Sequence, residues 1–264
     1  MPILGPVQDP KATTMGQDQL EGFGQIGLRI TKRLTASAGL RLGRTTFDAV
    51  TEVPPIIRLG GADTANTPRF NFSYDTDAGN LFYATIAKGY RSGGVYPPVA
   101  TGGDDALGFP PDAVWSYEIG AKRGLLGGRV HVESTVFHIR WTNDQPDAVL
   151  PSNCGSPSTP RVTAASNGFE LLVQALLTEH FKPTLSVVYT DARYTQTLKV
   201  GDAVIVRKGD ALGAPQQAPS PWNATASIEY SGSADKRRKR QPSGRRHFPQ
   251  PQSRPVPGPL AHAP

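Results

Sequence analysis

An all-β, antiparallel fold is predicted by three features of this 264-residue chain. Short runs alternate apolar with polar or small residues, the signature of strands with two unlike faces. Gly, Pro, Asn and Asp punctuate those runs: there are 28 glycines and 25 prolines. Short turns and long polar connections also follow one another in alternation, as in an up-and-down barrel.

The first clean strand spans residues 25 to 30, with Ile26, Leu28 and Ile30 on one face and Gln25, Gly27 and Arg29 on the other. A Thr-Lys-Arg turn leads into a second strand over residues 34 to 47. Strands at 70 to 74 and 81 to 90 flank the turn sequence Asp-Thr-Asp-Ala-Gly-Asn, rich in residues that close turns. In the strand at 115 to 123, Trp115, Tyr117, Ile119 and Ala121 oppose Ser116, Glu118, Gly120 and Lys122. Gly124 to Gly128 makes the next turn, and residues 130 to 141 return. Further strands are expected at 168 to 175, 185 to 194 and 224 to 230, which brings the count to about nine or ten.

These runs of roughly 7–13 residues bracket the 9–11 that a tilted transmembrane β-strand needs. Tyr90, Trp115, Trp141 and Tyr230 fall near strand ends, where an interfacial aromatic girdle would put them. Residues 49 to 68, 97 to 111 and 143 to 166 are expected to be long polar connections. Such loops are unusual in compact soluble domains. Alternation by itself also fits a soluble β-sandwich, whose strand faces would have to meet in one dry core.

Other classes are excluded by composition and motif. No run of eighteen apolar residues is present, so a transmembrane helix is not expected. The single cysteine, Cys154, cannot form an internal disulfide and reads as a loop residue. His131 and His138 are seven positions apart, so a regular strand puts them on opposite faces, against a shared metal site; His180 stands apart from both. No nucleophile elbow, phosphate-binding glycine loop or paired-cysteine motif occurs. No catalytic residue, metal ligand or cofactor is therefore assigned.

The net charge of +6 is unevenly placed. From Ser231 onward there are eight Lys/Arg and one Asp, while the preceding 230 residues hold twenty Lys/Arg and twenty-one Asp/Glu. The segment with Lys236-Arg237-Arg238-Lys239-Arg240 contains seven prolines in its 34 residues and cannot continue a strand. It is expected to be a disordered tail, translated out of frame or beyond a lesion. A nucleic-acid-binding or nuclear-localisation tail is the rival reading, and no aromatic RNA-binding pattern accompanies the basic run.

The residues Leu81-Phe-Tyr-Ala-Thr-Ile-Ala-Lys-Gly-Tyr-Arg-Ser-Gly-Gly-Val-Tyr96 resemble the barrel signature of TonB-dependent receptors, in which a strand ends in Lys-Gly-Tyr-Arg-x-Gly-Gly. Phe109-Pro-Pro-Asp112, Tyr117-Glu-Ile-Gly-Ala-Lys122 and Phe137-His-Ile-Arg-Trp-Thr-Asn-Asp144 are similar to the segments that follow it in the family. The likeness begins near Glu21 and ends near Tyr230, with the motifs in family order and spacing.

The resemblance implies part of an outer-membrane barrel of 22 strands that an N-terminal plug fills. It also implies active uptake of ferric siderophores or similar bulky nutrients, powered by the TonB–ExbB–ExbD complex, and no enzyme activity. Outer-membrane lipid, the ligand and that complex are the implied partners; nucleic acid is not. No segment here resembles the plug, the TonB box or the family's final aromatic-ended strand. The N-terminus lacks a signal-peptide pattern, which leads to the expectation that the true start lies upstream. Three regions are expected: an ill-defined segment at 1–20, the partial barrel at 21–230 and the tail at 231–264. A passive porin-like barrel is the alternative function. Within the barrel, Arg91, Glu118 and Lys122 are the ligand-facing candidates. Glu118 and Lys122 share a strand face about 13 Å apart, too far to pair directly.

Overall fold

The computed structural model describes residues 13–51, 58–76, 79–96, 107–144, 161–200, 202–213 and 220–231. Cys154, the basic tail and the first twelve residues lie outside the described residues, as does the centre of each long connection.

Nine strands form one antiparallel sheet. They are β1 (Thr13–Arg29), β2 (Leu34–Thr51), β3 (Arg58–Asp75), β4 (Leu81–Arg91), β7 (Asp112–Leu125), β8 (Val130–Asp144), β9 (Val162–Ala175), β10 (Phe181–Tyr194) and β13 (Trp222–Tyr230). Between β4 and β7 lies a small hairpin of β5 (Gly94–Tyr96) and β6 (Leu107–Phe109). Between β10 and β13 lies another, β11 (Leu198–Val200) with β12 (Ala203–Val206). Strand order in the large sheet follows chain order, and among the described residues β1 and β13 are its open edges. No helix is long and apolar enough to cross a membrane, which says nothing about crossing with strands.

The strands are longer than their apolar alternation foretold. Of the stretch from 49 to 68, expected as a polar loop, residues 49–51 and 58–68 belong instead to the ends of β2 and β3, which pair in register from Val50–Arg58 to Leu34–Tyr74; residues 52–57 lie outside the described residues. The physical reason is that backbone pairing continues past the point where one face must be apolar. There, polar and small residues such as Thr45, Asp63 and Thr64 occupy both faces and periodicity vanishes. Pro68 sits inside β3 without harm because β3 pairs with β4 only from Arg69 onward, so no ladder donor is demanded of it on that side. Pro183 marks the same boundary in β10, whose pairing with β9 starts at Thr184.

Short connections at 30–33, 76–80, 126–129 and 176–180 all lie at one end of the sheet. Gly79 closes the second with φ +73°, and Gly127 and Gly128 the third with +66° and +84°. Arg129 ties the third turn to the fourth by donating to the carbonyls of Leu176 and Leu177.

Cross-strand register gives the sheet its two faces. One continuous row runs through every strand: Leu28, Ala36, Phe72, Ala84, Ile119, Val136, Phe169, Tyr189 and Trp222. All nine are apolar or aromatic. Leu28, Ile119, Val136 and Trp222 are 56–70% exposed, so this face meets no dry core. The only buried hydrophobic residues among those described are Ala49, Val162, Ala164 and Tyr194. A soluble sandwich is thereby overturned, because its strand faces would have to meet and bury one another. An apolar surface this wide is stable against lipid.

The same row measures the strand tilt. Ala36 is two residues from the short-turn end of β2, whereas Tyr189 is eight residues from that end of β10. That drift of about 20 Å over six strand spacings of about 4.8 Å is a tilt of about 35°, within the range of transmembrane barrels. The upper limit of the apolar band drifts in the same sense. Counted from the short-turn end, the first charged, amide or imidazole side chain on this face is Asp18 in β1, Arg44 in β2, Asn66 in β3 and Lys88 in β4. In β8, β9 and β10 it is His138, Asn167 and Asp191.

Candidate functional site

The opposite face is polar and its hydrogen bonds run between strands. Asn71 donates to Thr85 Oγ1 at 2.9 Å, and the Tyr83 hydroxyl pairs with Thr135 Oγ1 at 2.8 Å. Tyr83 has room to lie across β7 because its cross-strand neighbour is Gly120, where a side chain would meet the tyrosine ring. Glycine thus lets one aromatic cover the strand beside it.

At the long-connection end this face carries a fixed constellation. Arg91, the last residue of β4, stands directly opposite Asp112, the first of β7. Its Nε donates to Asp112 Oδ2 at 2.7 Å, and Nη2 contacts the same oxygen. The carboxylate is 4% exposed while the arginine side chain is 61% exposed, so one partner is anchored and the other opens outward. The guanidinium lies 5.7 Å from the centre of the Trp141 ring. The Trp141 indole Nε1 is buried there without a hydrogen-bond partner among the described residues.

Beneath Trp141 is the described part's one buried apolar cluster, Val162, Ala164 and Tyr194, covered by Leu198, Val206 and Leu212 from the β11–β12 region. A loop hairpin is therefore folded down onto the polar face. On the other side of Arg91, the Gly93 amide donates to Asp63 Oδ2 at 2.7 Å, tying the start of the β4–β7 connection to β3. An added Cβ at Gly93 would run into that carboxylate and the Phe109 carbonyl. The site is a rim whose loops are held by specific bonds.

Arg91, Glu118 and Lys122 all belong to the polar face, but the structure does not bring them together. Glu118 accepts from Ser116 Oγ at 2.9 Å. Lys122 pairs with its cross-strand neighbour Glu133 at 2.9 Å, and His131 contacts the same carboxylate at 2.9 Å. Only Arg91 combines an open side chain with donors left over after its ion pair.

His131 and His138 do fall on opposite faces of β8. His138 pairs across to Asn167 at 2.7 Å. Among the described residues, no group of three or more His, Cys, Asp or Glu is placed to hold a metal ion.

The expected aromatic girdle needs two corrections. Trp141 shares its face with Phe137 and Ile139, so it packs on the polar side of the rim and not toward lipid. Large residues on both faces of β8 concealed that parity. Tyr90 encloses its hydroxyl without a hydrogen-bond partner and is no wet-ended anchor. Trp115 does lie on the apolar face, with its ring centre 6.4 Å from that of Tyr117. Tyr230 also lies there, 73% exposed on the edge strand.

From the sequence, Asp112 stands in a family-like motif and Tyr194 ends an expected strand, neither with an assigned role, and Asp63 carries no signal. A carboxylate directly after Pro110-Pro111, following a strand that terminates in arginine, is the available signal for Asp112.

Comparison with known proteins agrees with this architecture. The family described as "TonB dependent receptor-like, beta-barrel" matches residues 3–248. The metal-pseudopaline receptor CntO of Pseudomonas aeruginosa is 30% identical over 161 residues, covering 59% of this chain and 20% of that protein. This chain thus spans about a fifth of that relative's length. Among solved structures, the ferric yersiniabactin uptake receptor FyuA from Yersinia pestis superposes with a TM-score of 0.62 at 16% identity. That match covers 82% of this chain and 32% of the receptor. The FrpB iron transporter from Neisseria meningitidis gives 0.61 at 15% identity, covering 86% and 32%. At such identities these two structures establish a shared fold.

Proposed function

Given that this chain belongs to the TonB-dependent receptor β-barrel family, a family of outer-membrane transport receptors and not enzymes, we propose that it forms a nine-strand portion of the wall of a receptor for TonB-dependent uptake of ferric siderophores or similar metal chelates. The observation that carries this reading is the pairing of two unlike faces on one tilted sheet. An exposed apolar band faces lipid, and the polar face behind it ends in the Arg91–Asp112–Trp141 rim. Open edges in hydrocarbon leave backbone groups unpaired at several kcal/mol each. The wall therefore works as part of a closed barrel, with further strands against β1 and β13.

Transport itself is assigned to the closed receptor together with the TonB–ExbB–ExbD complex. The polar face supplies the lumen wall, and the rim supplies first contact. Arg91 keeps unused guanidinium donors beside an aromatic ring, a combination that suits the carboxylate or hydroxamate oxygens of an anionic chelate. Glu118 and Lys122 lie deeper and are assigned a later, weaker contact. The similarity to a metal-pseudopaline receptor supports a metal chelate as the ligand class.

The test is uptake of radiolabelled ferric siderophores and metal–opine chelates by receptor-deficient cells expressing the native gene that contains this sequence. Uptake that disappears when TonB is deleted supports the proposal. Entry of small solutes independent of TonB, with no chelate uptake, overturns it in favour of a passive pore.

A further inference from the structure

Packing sets the place of the Trp141 ring, because among the described residues its Nε1 has no hydrogen-bond partner. One cross-strand row puts Ala164 directly between Trp141 and Tyr194. Ala164 is 1% exposed and Tyr194 4%, and Trp141 packs against both and against Val162. We propose that Tyr194 is the positioning residue of the rim: it holds Trp141, and through it Arg91, and the β11–β12 hairpin is a fixed strut seated on Tyr194 and not a cover that swings over the ligand. The inference rests on the transport reading and adds to it a residue with almost no surface to offer a ligand.

The way the hairpin is attached supports this. The Tyr194 amide donates to the Asp210 carbonyl at 3.0 Å, and the Tyr194 carbonyl accepts from the Gly209 amide at 2.9 Å. On one side the Leu212 amide donates to the Ala192 carbonyl at 2.9 Å; on the other the Thr195 amide donates to the Thr163 carbonyl at 2.8 Å. Arg193 Nη1 adds a bond to the Gly209 carbonyl at 3.0 Å. The returning turn is closed on itself, with the Arg207 amide on Asp210 Oδ2 at 2.8 Å. Leu198, Val206 and Leu212 then cover the Val162–Ala164–Tyr194 cluster. Lifting the hairpin would break three backbone bonds to β10 and wet the one buried apolar cluster of the described residues. Both losses oppose local opening.

The ring matters because the Arg91 guanidinium lies 5.7 Å from its centre, and that attraction depends on where the ring is held. A displaced ring leaves the guanidinium free to rotate. Its ordering is then a cost of binding, so affinity falls while the transport step is untouched.

The experiment is uptake by receptor-deficient cells expressing the native gene that contains this sequence, read against the concentration of the same radiolabelled ferric siderophores and metal–opine chelates. Tyr194→Ala is expected to raise the half-saturation concentration roughly tenfold, with the maximal rate per surface receptor unchanged. Tyr194→Phe, which keeps the ring, should stay within about twofold. In a Trp141→Ala receptor, Tyr194→Ala should add no more than about twofold, because both changes act through one ring. A disulfide tests the strut: Arg193 and Ala211 face each other in an isolated bridge. In a Cys154→Ser background, oxidised Arg193→Cys/Ala211→Cys should transport within about twofold of its reduced form. Transport lost on oxidation and restored by reduction overturns the strut, as does failure of the disulfide to form. An unchanged half-saturation in Tyr194→Ala, a fall in its maximal rate alone, or the full increase on top of Trp141→Ala overturns the positioning role and leaves the transport reading standing. No TonB-dependent uptake by the natural receptor overturns the transport reading and this inference with it.

Discussion

Arg91 and Asp112 face each other across the last step of the β4–β7 ladder, one open to solvent and the other 4% exposed. The ion pair therefore fixes the point at which two strands part company, and it does so with a carboxylate that has little access to water. Removing the arginine leaves that carboxylate without its charged partner. Arg91→Ala is expected to destabilise the rim by about 1–3 kcal/mol. Arg91→Ala/Asp112→Ala should recover part of the loss. Denaturant unfolding of the lipid-embedded protein measures both, and equal losses for the single and double variants would dismiss the pair as a structural clamp.

The same arginine is predicted to matter for ligand, apart from stability. With charged hydrogen bonds at stake, Arg91→Lys should raise the half-saturation concentration for chelate uptake roughly tenfold. Lys122→Gln should leave it within about twofold, because Lys122 is already engaged with Glu133. Uptake measured against chelate concentration separates the two. A larger effect at Lys122 than at Arg91 would move the ligand contact from the rim into the lumen.

The two faces of the sheet can be told apart by a charge scan. Ile119 and Val136 are cross-strand neighbours in the apolar band and are 70% and 65% exposed. Arginine at either is expected to cost about 2–4 kcal/mol in lipid. Arginine at Glu118, one residue from Ile119 but on the polar face, should cost under about 1 kcal/mol. Folding titrations in phosphatidylcholine vesicles give these values, and equal costs on both faces would contradict a lipid-facing band.

Gly168 is the tightest glycine on the polar face. A side chain there would strike the Tyr189 carbonyl and the Phe137 ring. Gly168→Ala should therefore cost about 1–3 kcal/mol by forcing the β9–β10 ladder to shift. Gly124→Ala, where nothing lies within 4 Å, should be close to neutral. Thermal unfolding of the two variants side by side is the direct comparison, and a ranking in the opposite order would mean that β9 sits differently against β10.

The sequence by itself determined the fold class, the turns and the identity of most strands, because period-two alternation and turn residues act locally. Ile119 with Tyr117 and Trp115, or Leu28 with Ile26, can be assigned to one face by counting. It also determined the family, through motifs around Tyr90-Arg91 and Tyr117-Glu118 whose order survives without any fold in hand. Strand length was not legible: from 58 to 68 polar and small residues stand on both faces, so no side-chain period marks the strand while backbone pairing runs on. The tertiary structure alone decided which residues become neighbours. Register, set between strands well separated along the chain, brought Asp112 and Trp141 to Arg91 and lined up Lys88, Arg140 and Arg193 in a single row. A strand records its own faces in its sequence. The tilt that places its residues beside those of other strands is a property of the whole sheet, fixed by the summed hydrogen-bond ladders and by the lipid the apolar band must match.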